Sequence, residues 1–311
     1  MRLGAAAVTI LLVLLAGPIA AFAASCTAFE AGIALGQPEP KELIEISGMA
    51  ASRVNPGLLW VHNDSGSEFR LFALTADGKE RGYCTSKDIG RGDWEDMAIG
   101  PGPMPGKTYI YVADTGDNRE YGKPKRIYRF LEPEMPASGG TVVVPIPDVA
   151  RFTLLFPNDK AGPFDCEAIL VDPRGGGLYL MTKDTNLKNG GKSEVFRASG
   201  ALDPGKHNAM EHVLTLDLDA GLMNLVTGAD IAPDGSGILV RTYLDILYWP
   251  RAAGQSIGEA LAATPCHAPQ VVEPQGEAIA FAADGNGYYT ASERRKEKAI
   301  PPIHYFQRVM K

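Results

Sequence analysis

The chain has 311 residues, 45% of them hydrophobic and 22% charged, with a formal net charge of −7. That length and apolar content suit a globular protein with a sizeable core, and exclude a disordered chain. The acidic balance also excludes a duplex-binding surface, since Lys123-Pro-Lys-Arg126 and Arg294-Arg-Lys296 are short solvated loop charges rather than a basic patch.

The first element is Met1-Arg2-Leu3 followed by an apolar stretch from Gly4 to Ala24, with small residues at Ala21-Phe-Ala23. A positive start, an apolar middle and a small-residue end describe a cleavable secretory signal over residues 1–24. Cleavage leaves residues 25–311 as one domain, periplasmic or secreted, with no stable membrane span. An uncleaved anchor is the rival reading. Lipidation at Cys26 is weaker still, because Ala23-Ala24-Ser25 lacks the large aliphatic residue of a lipoprotein cleavage site. Export favours disulfides, and the four cysteines Cys26, Cys84, Cys166 and Cys266 allow three pairings. Their connectivity stays open, and Cys166 also suits a small buried position. None lies in a C-x-x-C spacing, which disfavours thiolate zinc sites.

Past the N-terminal segment, five short stretches resemble one another: Ile46-Ser-Gly-Met-Ala50, Trp94-Glu-Asp-Met-Ala98, Asp165-Cys-Glu-Ala-Ile169, Thr227-Gly-Ala-Asp-Ile231 and Gln275-Gly-Glu-Ala-Ile279. Aligning Gly48, Asp96, Glu167, Ala229 and Glu277 gives steps of 48, 71, 62 and 48 residues. Each stretch leads into an apolar run, a turn and a second run rich in β-formers. Repeats of this size and content predict the blades of an all-β propeller. Five blades are visible, and a sixth stays open within the 71-residue step.

A strand is predicted at Lys41–Ile46 ahead of the repeats; in the first repeat, which begins at Ser47, further strands are predicted at Leu58–His62, Phe69–Leu74 and Glu80–Thr85, with Asp77-Gly78 as a hairpin turn. The second has Asp96–Ile99, Thr108–Ala113 and Arg126–Phe130, then a Pro- and Gly-rich region over Pro133–Pro147 read as a rim loop or hairpin. The third has Glu167–Val171, Gly177–Thr182 and Ser193–Arg197. The fourth has Asp230–Ala232, Ile238–Tyr243 and Ile246–Trp249, followed by a short helix within Gly254–Ala263. The fifth has Glu277–Phe281, Tyr288–Ser292 and Ile303–Phe306, one strand short of a blade. A closed ring leaves no open edge, so the segment before Ser47 is expected to supply the missing strand.

In a blade, the first strand lines the channel and the second runs back beside it. The starts of first strands and the ends of second strands therefore share one face. That face gathers Trp94, Glu95, Asp96, Asp165, Glu167, Asp230, Gln275 and Glu277 with His62, Asn63, Asp64, Asn118, Arg119, Lys183, Arg241, Tyr243, Glu293 and Arg294. Converging carboxylates repel unless protonated, paired or bridged by a cation. A hard metal on Asp96, Glu167, Asp230 and Glu277 would relieve them, and calcium suits both oxygen ligands and an exported protein. The plainer reading is that these acids hold neighbouring blades together through hydrogen bonds. Arg119, Lys183, Arg241 and Arg294 would either pair with the acids or capture an anionic group. No G-x-S-x-G elbow, P-loop or H-E-x-x-H occurs.

Taken as a set, His62-Asn-Asp-Ser65, Trp94-Glu-Asp-Met-Ala98, Asp114-Thr-Gly-Asp-Asn-Arg119, Val226-Thr-Gly-Ala-Asp230, Arg241-Thr-Tyr243 and Glu273-Pro-Gln-Gly-Glu-Ala278 resemble a secreted bacterial β-propeller family over nearly the whole mature chain. More distantly, the architecture is similar to calcium-dependent propeller hydrolases: sugar lactonases, phosphotriesterase-like enzymes and phytases. That resemblance implies a channel calcium near Asp96, Glu167 and Glu277. The chain departs from phytases in lacking their phosphate-binding motifs. The expectation is a monomeric, metal-dependent hydrolase of an ester, lactone or phosphoester. In it Glu95, Asp96, Glu167, Glu277 and His62 would do the chemistry. Asn63, Asp64, Asn118, Arg119, Lys183, Arg241, Tyr243 and Arg294 would hold a small anionic substrate. The alternative is a non-catalytic propeller that binds a ligand or protein on the same face.

Overall fold

A computed structural model describes residues 28–309, apart from 67, 118–121, 123, 137–140, 158–163, 185–190 and 219–224. The expectations for the signal segment, Cys26, Asn118 and Arg119 lie outside the described residues. The strands follow from runs in which alternate residues meet different neighbours. In Thr108–Asp114, for example, Ile110 and Val112 enter one apolar layer while Tyr109, Tyr111 and Ala113 enter the next. A strand covered on both faces is apolar at nearly every position, so the runs look continuous instead of alternating.

After β1 (Ile33–Gly36), the strands β2 (Ile46–Ala51), β3 (Leu58–Asn63), β4 (Leu71–Thr75) and β5 (Glu80–Thr85) form an antiparallel sheet in chain order. The next sheet is β6 (Trp94–Pro101), β7 (Thr108–Asp114) and β8 (Arg126–Leu131). Between them β9 (Val142–Pro145) pairs in parallel with β5, and β10 (Ala150–Leu155) completes the second sheet beside β8. These two strands account for the long step between repeats. The third sheet is β11 (Cys166–Val171), β12 (Leu178–Thr182), β13 (Ser193–Ala198) and β14 (His207–Leu216), with β14 paired in parallel to β10. The fourth is β15 (Val226–Ile231), β16 (Gly237–Thr242), β17 (Ile246–Pro250) and β18 (Cys266–Ala268). The last runs β19 (Gly276–Phe281), β20 (Gly287–Ser292) and β21 (Ile303–Gln307), with β1 antiparallel on β21.

Neighbouring sheets share apolar layers, and β2, β6, β11, β15 and β19 each touch the next around a ring. This is the arrangement of a β-propeller. Trp94 belongs to its core, edge-on to Phe69 and Tyr128. Cys84 and Cys166 are buried free thiols.

The expected strand at Lys41–Ile46 is a turn up to Glu45, because Leu43 N–H bonds the carbonyl of Pro40 at 3.1 Å. The blade's outer strand comes instead from Ile33–Gly36. Helix α1 (Ile257–Leu261) begins later than Gly254, where Ser256 and Glu259 form a reciprocal capping box. Among the described residues no helix is long and apolar enough to cross a membrane.

Candidate cation-binding mouth

Each inner strand slips register against its partner near its own start: Ile46/Met49, Trp94/Met97, Cys166/Ala168, Val226/Gly228 and Gly276/Ala278. A bulge re-aims side chains at the end of a sheet. Here it does so at one end of the channel, where Glu95, Glu167 and Glu277 follow the strand starts.

The carboxylate oxygens of Glu95, Asp165 and Glu167 come within 4.8 Å of one another, and those of Asp64, Asp93 and Glu95 make a second group within the same span. Glu95 and Glu167 are each 2% exposed. Yet Glu95 Oε1 and Glu167 Oε1 have no hydrogen-bond partner among the described residues. Lys183 Nζ lies 3.0 Å from Glu167 Oε2 and 5.1 Å from the centre of the Tyr243 ring. Tyr243 OH donates to Glu277 Oε1 at 3.3 Å, and Gln275 Nε2 donates to the same oxygen at 2.8 Å.

Electrostatics follow from this crowding. Burial pushes Glu95 well above the usual carboxylate range, and the charges of Glu167, Asp64 and Asp165 add to it. Burial, then Glu167, raises Asp165 to about 7; burial, then Glu277, raises Asp64 to about 7. Glu277 and Glu293 are each raised to about 7, chiefly by burial. For Lys183, burial opposes the charge but Glu167, Tyr243 and Glu277 outweigh it, so the ammonium is held well above its ordinary range. The mouth is a crowd of carboxyls with the Lys183 ammonium against Glu167 and the buried Lys125 ammonium, paired with Asp117, acting on Asp165.

No protein family matches the chain, and no curated protein matches it. Among solved structures it is similar to U3-55K, at 8% identity over 89% of this chain and 98% of that one, with a TM-score of 0.44. It is also similar to the RRP9 WD40 repeats, at 7% identity over 93% of this chain and 99% of that one, with a TM-score of 0.45. Likeness at that level says nothing about chemistry, and the fold rests on the sheets described above.

Several expected site residues take other places. Asp96 Oδ1 accepts from Met97 N–H at 2.8 Å, and its Oδ2 from Ile169 N–H at 3.1 Å and Ala229 N–H at 3.3 Å. Asp230 accepts likewise from Ile231 N–H at 2.8 Å and Phe281 N–H at 2.7 Å. Both acids fasten inner strands together and stand outside the two carboxylate groups. The bulge between Trp94 and Met97 lets Glu95 face the mouth while its neighbour Asp96 turns to the backbone of the inner strands. Arg241 is 3% exposed and donates to the Ala278 and Ala291 carbonyls at 2.8 and 3.2 Å, with Glu273 as its ion-pair partner. It is a fastening between sheets and not an anion hook.

His62 is buried, with Nδ1 2.8 Å from the Asn63 carbonyl, and burial lowers its pKa to about 4. It is therefore a neutral core histidine at neutral pH. Asn63 pins the preceding loop, accepting from Glu45 N–H at 3.2 Å and donating to the Glu42 carbonyl at 2.6 Å. Arg294 sits half-buried, its N–H on the Ile44 carbonyl at 2.9 Å. Asp93 is the mouth acid that the repeat comparison leaves out, although it lies in the same Arg91-Gly-Asp-Trp-Glu-Asp96 stretch. The sequence reads there as a turn, and only the fold around Gly116 brings that turn over the channel.

Proposed function

We propose that the chain is an exported, monomeric five-bladed propeller closed by its first strand, which binds a divalent cation at the channel mouth and, through it, a small anionic ligand. The cation sits on Glu95, Asp165 and Glu167. The observation that carries this reading is Glu167 Oε1, buried and unpartnered beside two further carboxylates. Three carboxylates removed from water are costly unless a cation offsets them. Calcium–oxygen bonds of about 2.3–2.6 Å place two ligands on one ion at most about 5 Å apart, which the 4.8 Å grouping satisfies. An all-oxygen set with neither His nor Cys favours calcium over zinc or copper. Lys183, paired with Glu167 at 3.0 Å, sets a positive charge beside the anion that the cation's remaining positions would hold. Export rests on residues 1–24 of the sequence.

Binding is favoured over hydrolysis because His62, one of the expected proton carriers, is buried in the core with its Nδ1 against the Asn63 carbonyl. A calcium-dependent hydrolase is the second reading, supported by Glu277 and Glu293, which lie outside the two carboxylate groups and are raised by burial to about 7, a range suited to acid–base work. The test is melting of chelator-treated protein with and without calcium, followed by ester, lactone and phosphoester substrates under both conditions. Calcium is expected to raise the melting temperature. Melting indifferent to both chelator and calcium overturns the cation site. Turnover that calcium restores, and that Glu167→Gln abolishes, brings the hydrolase reading forward.

A further inference from the structure

The second carboxylate group, Asp64, Asp93 and Glu95, shares one residue with the first. The two groups differ in surroundings: Asp165 and Glu167 are buried, whereas Asp64 and Asp93 are half-buried. Each group includes a residue with a partnerless buried oxygen: Glu167 in the inner one and Glu95 in both. Glu95 Oε1 lies with the Asp93 carboxyl directly over Gly116, where a Cβ would collide with both. Asp93 is held there by its backbone, with its N–H on Asp114 Oδ1 at 3.0 Å and its carbonyl accepting from Gly116 N–H at 3.3 Å. Only a residue without a side chain at 116 lets the two carboxyls approach over this loop.

We propose that the mouth holds two divalent cations, an inner one on Glu95, Asp165 and Glu167 and an outer one on Asp64, Asp93 and Glu95, with the Glu95 carboxylate bridging them. The proposal rests on the cation reading above. A carboxylate has two oxygens and about four lone-pair directions, so one Glu can serve two ions. The inner ion, enclosed by buried ligands, exchanges slowly. The outer ion has half-buried ligands and open positions for water, so it exchanges fast and binds more weakly, near the 10⁻⁴ M order of extracellular calcium modules.

The experiment is calcium titration of the chelator-stripped full chain by calorimetry, with native mass spectrometry to count ions. Two bound ions of unequal affinity are expected. Asp93→Asn, at a half-buried position, should remove the weaker ion and keep the tighter one. Asp64→Asn should weaken the same ion at least about tenfold, a loss of one charged ligand being worth about 1.4 kcal/mol or more. Glu95→Gln should weaken both. A single ion in the wild type, abolished by Asp165→Asn, overturns the outer site and leaves the single-cation reading standing. Two ions that survive Asp93→Asn and Asp64→Asn place the second one elsewhere and overturn this assignment. No bound ion overturns both readings.

Discussion

The two ends of the channel use the same kind of residue in opposite ways. At the far end, Glu132 Oε1 accepts from Ser52 Oγ at 2.6 Å, Arg53 N–H at 2.9 Å and Trp60 Nε1 at 3.0 Å, while Oε2 accepts from Thr108 Oγ1 at 2.6 Å. Nearby, Asp172 takes both ends of the Arg251 guanidinium at 2.8 Å. These acids are buried and saturated with donors, so they hold β2, β3, β7 and β17 in place. At the mouth, five or more carboxyls face one another across a bulged strand start, with Lys183 as their partner cation. A saturated acid is structure. An acid left short of donors stores repulsion that a ligand can relieve, at a cost in stability to the empty protein.

That contrast can be broken first at the far end. Glu132→Ala strands the Trp60, Ser52, Arg53 and Thr108 donors, and is expected to lower stability by about 3–5 kcal/mol without changing calcium affinity. Thermal melting and calorimetry on the same sample check both halves. Lys183→Met removes a buried ammonium from the mouth and leaves Glu167 unpaired. A loss of about 3 kcal/mol is expected without calcium and a much smaller one with it, read by denaturant titration in both conditions.

pH should separate the two ends further. Asp64, Asp165, Glu277 and Glu293 have folded-state pKa values near 7, above the unfolded values of about 4. A raised carboxyl pKa stabilises below the unfolded value, and that stability is lost as pH rises through the folded value. The cation-free protein is therefore expected to melt lower at pH 8.5 than at pH 5.5. The expected difference is on the order of 2 kcal/mol, discounted because Asp64 is half-buried and the four groups titrate against one another. Saturating calcium should flatten that slope. The smallest expected effect has the opposite sign from Glu132→Ala. Glu95→Gln removes a buried carboxyl from a crowded mouth and should stabilise the cation-free protein by about 1 kcal/mol at pH 8, while weakening calcium binding. Destabilisation with unchanged binding would place Glu95 among the structural acids.

The inner and second strands of each repeat were legible because local signals coincide there: an acidic or small turn, an apolar run, then an Asp-Gly or similar turn. The outer strands β9, β10, β14 and β18 were not. β9 and β18 are sheet edges, and β10 and β14 pair with each other where two blades join; exposed residues interrupt these runs and remove their continuous apolar signature, as in His207–Leu216. The site was half legible. Sequence position placed Glu95, Glu167, Asp64, Lys183 and Glu277 on one face, and the structure brings Asp64 and Glu167 each near Glu95, with Lys183 on Glu167. The division of labour between Glu95 and Asp96 was not legible, because a one-residue bulge decides which neighbour turns toward the mouth. Arg241 and His62 read as site residues by their position at strand ends, and burial made them core.

Sequence alone determined the β-rich repeat, the end of the ring where acids collect and the candidate export signal, since each is written in local order or composition. Tertiary structure decided which acids are saturated and which are left short, which of two adjacent carboxyls faces the mouth, and that Asp93 joins them over Gly116. The physical reason is that hydrogen-bond satisfaction and charge repulsion depend on atoms brought together from different blades. The carboxylates of residues 95 and 167 lie within 4.8 Å of each other although the residues are far apart along the chain.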